Sequence, residues 1–110
     1  MREPTFLVLT ALAGEPRHGY AVIEDVAAMT GGRVRLRAGT LYAALDRLRT
    51  DGLIEVDREE VVQSRLRRYY RLTAAGEQSL AAETARLRTQ AAIAAERLGR
   101  RGITFGGATA

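Results

Sequence analysis

Arginine is the residue with the most chemistry to offer in this chain. All 17 basic residues are arginine and none is lysine, which against 13 acids leaves a net charge of +4 and an isoelectric point near 10.3. A guanidinium presents a planar fork of donors that suits a phosphate or the edge of guanine, whereas lysine offers a point charge. A GC-rich coding bias explains the missing lysine but not the positions of the arginines. Residues 33–71 hold ten arginines and six acids, residues 1–32 two and four, and residues 72–110 five and three. The basic surplus therefore sits in the middle third, in company with Tyr42, Tyr69 and Tyr70.

Other chemistries are poorly supplied. The absence of cysteine removes disulfides, thiolate metal sites and a cysteine nucleophile. A single histidine, His18, is too little for a zinc site or a catalytic triad. With no carboxylate pair, glycine-rich phosphate loop or activated nucleophile, the sequence predicts no catalytic residue, no cofactor and no metal. Arg2, the apolar run Phe6 to Ala13 and the triplet Ala11-Leu12-Ala13 mimic a secretory signal. Glu3 offsets Arg2, Pro4 interrupts the start and the run is short, so a cytoplasmic chain is expected. No stretch approaches the ~20 apolar residues of a membrane span, and no membrane partner is expected. At 110 residues, 46% hydrophobic and 27% charged, the composition is that of one globular domain, or of a half that needs a partner.

Four helices and a hairpin must position the arginines. Pro4 suits a first helical turn, and Phe6, Leu7, Val8, Leu9 and Leu12 make that helix apolar nearly all round until Gly14 and Pro16 stop it. A second helix runs from His18 or Gly19 to Met29, with Tyr20, Ile23, Val26 and Ala27 on one face and His18 expected as its cap, the alternative being a phosphate contact. Past Gly31-Gly32, Arg33, Arg35 and Arg37 alternate with Val34 and Leu36 in a short extended connector. A third helix begins around Ala38 to Thr40, carries the stripe Leu41, Ala44, Leu45, Leu48 and closes at Asp51-Gly52. Residues 53–58 and 66–72 alternate as an antiparallel hairpin around a polar tip at Val62 to Arg65. Thr73 caps a last helix whose Leu80, Thr84, Leu87, Ala91, Ala94 and Leu98 form a weak heptad seam. A helix of about 25 residues spans about 37 Å, more than so small a domain needs, so its expected partner is a second copy. Phe6 and Leu9 are expected to pack beside that seam.

Three helices and a hairpin form a winged helix-turn-helix plan, in which the second helix of the turn enters the major groove. The expected class is mainly α with a small two-stranded β wing. The expected divisions are a winged domain over residues 1–73, a dimerisation helix over 74–99 and a flexible tail over 100–110. Opposite the apolar stripe, the third helix presents Gly39, Thr40, Ala43, Asp46, Arg47 and Thr50, a face small enough for the backbone to approach a groove. Arg47 is its long donor, to guanine or a phosphate; the alternative is an i,i+4 pair with Asp51. Asp46 either accepts from cytosine or orients Arg49 or Thr50. Thr40 and Tyr42 are candidates for phosphates, as is Arg37 in the connector, and Arg65, Arg67 and Arg68 in the wing are candidates for phosphates or a narrow minor groove. Arg68 shares a face with Leu66, Tyr70 and Leu72, so its stem is expected to cover the core while its head reaches water. Tyr20 is expected in the core. Double-stranded DNA is the expected partner; the alternative is a winged module that docks a protein without touching DNA.

The segments His18-Gly19-Tyr20, Gly39-Thr40-Leu41-Tyr42, Leu45, Arg47-Leu48, Gly52-Leu53-Ile54 and Arg67 to Thr73 with Gly76 resemble the PadR family of transcriptional regulators across roughly residues 5 to 98. The resemblance implies a homodimeric repressor of the compact subgroup, with one long C-terminal helix in place of a helical domain. It also implies release by a small-molecule effector of unspecified identity, for which Leu80, Leu87, Phe6 and Leu9 are candidate contacts. Two departures stand out. Arg37-Ala38 replaces a common Ser-Pro helix start, and the tip Val62-Gln63-Ser64 lacks the usual glycine.

Overall fold

A computed structural model describes residues 1–104. Its elements run α1 (Glu3–Gly14), β1 (Arg17–His18), α2 (Gly19–Met29), α3 (Ala38–Thr50), β2 (Ile54–Val62), β3 (Arg65–Leu72) and α4 (Ala74–Arg100). They form two compact units, the first from Met1 to Leu80 and the second beginning at Ala81. Of the tail expected over 100–110, Arg100 closes α4, and residues 105–110 lie outside the described residues.

Most helix ends of the first unit have a local cause. Pro4 occupies the first turn of α1, where a missing N–H costs no intrahelical bond. The far end of α1 is closed from a distance: the Arg17 Nε donates to the Ala11 carbonyl at 2.9 Å. His18 caps α2, its Nδ1 accepting the Ala21 N–H at 3.3 Å. At the other end the Gly32 N–H returns to the Ala27 carbonyl at 2.7 Å, with Gly31 and Gly32 in the left-handed region at φ 61° and 83°. The same closure ends α3, where the Leu53 N–H reaches the Leu48 carbonyl at 3.0 Å across Gly52. Between α2 and α3 the connector alternates as its sequence does, Val34 and Leu36 half-buried on the core and Arg33, Arg35 and Arg37 exposed.

The core draws Leu7, Val8, Leu9, Ala11 and Leu12 from α1, Val22 and Val26 from α2, Leu41, Leu45 and Leu48 from α3, and Ile54 and Tyr70 from the sheet. Tyr20 is not in it. The buried stripe of α2 is Gly19, Val22 and Val26, and Tyr20, one residue off that stripe, is 64% exposed. The expected face lies one step wrong around the helix, because Ile23 and Ala27 flank the stripe and pull its apparent centre toward Tyr20.

The sheet has three strands rather than two, ordered β1-β3-β2 and antiparallel throughout. Arg17 and His18 pair with Tyr70 and Tyr69. A strand of two residues is too short to leave an alternation in sequence and exists only because β3 offers it an edge. In the hairpin, Ile54, Glu55 and Val56 pair with Leu72, Arg71 and Tyr70; a bulge at Asp57 then shifts the register, so that Arg58 faces Tyr69, Glu59 faces Arg68 and Glu60 faces Arg67. Gln63 and Ser64 form the two-residue tip, both left-handed at φ 51° and 64°. Those angles belong to the turn type that favours Asn-Gly.

Thr73 joins the wing to α4. Its hydroxyl donates to the Gly52 carbonyl at 2.6 Å and accepts the Gly76 N–H at 3.1 Å, while its own N–H donates to the Leu53 carbonyl at 3.1 Å. A Cβ at Gly76 would overlap the Leu53 carbonyl. The second unit, taken alone, is the remainder of α4. It carries the ion pairs Arg86–Glu83 at 2.5 Å and Arg100–Glu96 at 2.8 Å, and Gly102 at φ 74° closes it.

Two substitutions should change stability in opposite directions. Alanine at a helical glycine ordinarily stabilises by about 1 kcal/mol, but Gly76→Ala must push backbone from backbone, and thermal unfolding should show a loss of about 2 kcal/mol or more. Ser64→Gly relieves a left-handed serine and should raise stability by about 1 kcal/mol in the same measurement.

Candidate nucleic-acid interface

The arginines divide by whether the fold has already engaged them. Arg17 lies 3.6 Å from Glu15 and 3.8 Å from Asp25. Arg33 grips Glu3 through two bonds of 3.1 and 2.6 Å. Arg58 pairs with Asp57 at 3.2 Å and lies over the Tyr69 ring at 3.8 Å. Arg71 holds Glu55 at 2.9 Å and Asp57 at 3.2 Å. By contrast, Arg35 and Arg37 in the connector, Arg47 and Arg49 on α3, and Arg65 and Arg67 on β3 have no acidic partner within 4.0 Å among the described residues.

Within the wing the bulge makes this division. It sets Glu59 opposite Arg68, which donates to it at 2.8 Å. It sets Glu60 opposite Arg67, but the Glu60 carboxylate accepts the Tyr69 hydroxyl at 2.7 Å. Arg67 is left without an acid, and Arg65 stands at the exposed tip. Of the three wing arginines expected from sequence to contact DNA, Arg68 thus enters a complex only by sharing or leaving Glu59. Its head does reach water, as expected.

An open cleft of about 760 Å³ separates the wing from the helices. His18, Gly19 and Tyr20 line it from the start of α2, Tyr42 and Asp46 from α3, and Arg65, Leu66 and Arg67 from the wing. Tyr42 is 50% exposed, and its hydroxyl has no hydrogen-bond partner among the described residues. Thr40, Ala43 and Arg47 are exposed on α3, Thr40 in its first turn. The alternative pair of Arg47 with Asp51 does not form. Nor does Asp46 orient its neighbours through its carboxylate; the Thr50 hydroxyl donates instead to the Asp46 backbone carbonyl at 3.0 Å. Tyr20 is the cleft residue that sequence reasoning misses. Its adjacency to His18, the cap that must stand at the helix mouth, is the available signal.

His18 knits this region together. Its ring meets Tyr69 edge-on at 5.3 Å while its Nδ1 caps α2. Burial, then the nearby Arg67 charge, hold its pKa below the usual histidine value, against a smaller pull from Glu24 and Glu60. The neutral ring is the form that can accept the cap bond.

For a second copy, Phe6 is half-buried, Leu80 and Thr84 are partly covered, Leu87 is 37% exposed, Ala91 and Ala94 are exposed, and Leu98 is partly exposed. Leu9 is corrected. It is fully buried in the first unit's own core, so it offers no surface to a second chain or to an effector. A helix apolar nearly all round gives no sign in sequence of which side its own domain covers.

Helices α1 to α3, the turn between α2 and α3, and the β2–β3 wing make this a winged helix-turn-helix protein. The chain belongs to the Transcriptional regulator PadR-like family, whose family model matches residues 8–82. It is 40% identical over 93 residues to the transcriptional regulator Rv3488 of Mycobacterium tuberculosis, covering 84% of this chain and 70% of that protein. An uncharacterised protein of Lysinibacillus sphaericus is 29% identical over 70 residues, and the chain spans 64% of its length. Among solved structures, a PadR-like transcription factor from Bacteroides fragilis superposes with a TM-score of 0.71 at 27% identity, over 84% of this chain and 87% of that one. Bacillus subtilis PadR, solved in complex with operator DNA, matches with a TM-score of 0.68 at 21% identity, over 76% of this chain and 47% of that one. No helix among the described residues is long and apolar enough to cross a membrane.

The His18 cap predicts a pH dependence. Because its pKa is lowered on folding, the unfolded chain takes up the proton first, and the cap's contribution is complete above the usual histidine value and lost as pH falls from there through the lower folded-state value. His18→Asn keeps a capping acceptor without a titrating group. Urea unfolding from pH 8 to 5 should show a steeper stability loss in the wild type than in His18→Asn.

Proposed function

We propose that the chain is a homodimeric repressor that binds an inverted repeat in duplex DNA, with α3 in the major groove and the wing on the flanking backbone. The observation that carries this reading is the set of unengaged arginines. Arg37 at the mouth of α3, Arg47 and Arg49 along it, and Arg65 and Arg67 on the wing stay free of acids in a chain where most other arginines of the first unit are paired. Leaving several guanidiniums unpaired on one domain raises its self-repulsion, a cost that phosphates offset. The face of α3 at Gly39, Thr40 and Ala43 is small and exposed, which suits close approach to base edges. Bacillus subtilis PadR, of like fold, is bound to operator DNA in its crystal structure, and this favours DNA over a protein partner.

The dimer rests on α4. Its 27 residues span about 40 Å, and Leu87, Ala91 and Ala94 leave an apolar seam open in a single chain. Two copies joined along that seam would offer two α3 helices to successive grooves, roughly 10 bp apart. Repression then results from steric exclusion of polymerase.

The test is titration of the full-length chain onto a labelled duplex from the region upstream of its own coding sequence, with sedimentation to count chains per duplex. Binding through 6–10 phosphates should weaken by about 10³–10⁵ between 50 and 200 mM salt. Arg67→Ala should weaken all sequences evenly and shrink the salt slope by about two, one for each copy in the dimer, whereas Arg47→Ala should relax sequence preference. A flat salt response, or one chain per duplex, would overturn the proposal in favour of a protein-docking module or a monomeric binder.

A further inference from the structure

We propose that Gly19 is a positioning residue for Tyr42: its missing side chain lets the phenol lie across the start of α2, with the hydroxyl presented in the cleft as a donor to a DNA phosphate. This rests on the DNA-binding reading above and assigns a role that reading did not need.

Gly19 is the first residue of α2, is buried, and does not adopt a left-handed φ. Backbone conformation therefore does not call for glycine, and helix propensity alone would favour alanine. Space does call for it. A Cβ at Gly19 would lie 2.6 Å from the Tyr42 Oη, 2.9 Å from Cζ and 3.2 Å from Cε1. Real carbon atoms do not approach so closely, so Tyr42 occupies the place a side chain would take.

Gly19, Gly32 and Gly76 have crowded Cβ positions among the described residues, and they differ in what gives way; at Gly32 it is the far end of the Arg35 guanidinium. At Gly76 the obstacle is the Leu53 backbone, which cannot move without moving the fold. At Gly19 it is the free end of a tyrosine that is 50% exposed, and that end can swing into solvent. An added methyl at residue 19 thus leaves the fold standing and moves the hydroxyl. In its present place the hydroxyl is unpartnered among the described residues, and the same cleft holds Arg65 and Arg67. A neutral donor in a cleft that is also lined by two guanidiniums without acid partners suits the phosphate backbone, a contact that positions without reading sequence.

The test compares the full-length wild type with Gly19→Ala, Tyr42→Phe and the double variant, on the upstream duplex and on a scrambled duplex of equal composition. Gly19→Ala and Tyr42→Phe should each weaken both duplexes about a hundredfold, about tenfold for the bond to a charged group lost by each copy of the dimer. The double variant should bind no more weakly than Tyr42→Phe, because the two changes remove one contact. Thermal unfolding of Gly19→Ala should match or exceed the wild type, and nuclear Overhauser contacts between residue 19 and the Tyr42 ring should disappear. Wild-type affinity in Gly19→Ala, independent losses that multiply in the double variant, or a melting point that falls in step with binding would each overturn the role while leaving DNA binding intact. A wild type that binds neither duplex overturns the DNA-binding reading, and this role with it.

Discussion

Burial of one stripe on α3 is the constraint that shapes the interface. Leu41, Leu45 and Leu48 are almost completely enclosed with Leu9, Val22, Val26 and Ile54. Each such side chain stabilises the fold by roughly 1.5–3 kcal/mol on burial. An exposed ion pair is worth about 0–1 kcal/mol. The apolar stripe therefore sets the rotation of α3, and the charges take the positions that rotation leaves them. Thr40, Ala43 and Arg47 face outward because the leucines face in.

The arginines divide their labour in a way that composition does not reveal. Some act as internal braces. Arg17 closes the end of α1 from β1, Arg33 ties the connector to the first turn of α1, and Arg71 bridges Glu55 and Asp57 along β2. Arg58 and Arg68 are held by acids within the wing, whereas Arg35, Arg37, Arg47, Arg49, Arg65 and Arg67 have no acid within 4.0 Å among the described residues. The wing acids do not blunt the whole wing, because the sheet assigns each of them to a particular neighbour: Glu59 to Arg68 and Glu60 to Tyr69. The bulge at Asp57 is what makes those assignments. Continued without it, the register of Ile54–Leu72 would bring Glu59 opposite Arg67.

Much of the framework is legible along the chain because it rests on local rules. The α3 stripe has helical spacing, His18 and Thr73 are polar residues placed just before apolar turns, and glycines mark the ends of α2 and α3. Each of these signals depends on residues within a few positions, and each matches the structure. The middle-third surplus of charge is legible too. Tyr20 escapes because the phase of α2 depends on which apolar residues α1 and α3 meet, and Leu9 escapes because a helix apolar all round has no phase to read. β1 escapes because two residues carry no period.

The sequence by itself determined the order of elements, the PadR-like pattern and the region where positive charge accumulates, all of which are properties of composition and short spacing. Only the tertiary structure decided which arginines remain unpaired, that Tyr20 and Tyr42 stand in one cleft, and that Gly19 and Gly76 are glycines for different reasons. Those outcomes depend on residues brought together across the sheet register and between helices. A one-residue bulge or a small helix rotation changes them while leaving the local sequence pattern as it is.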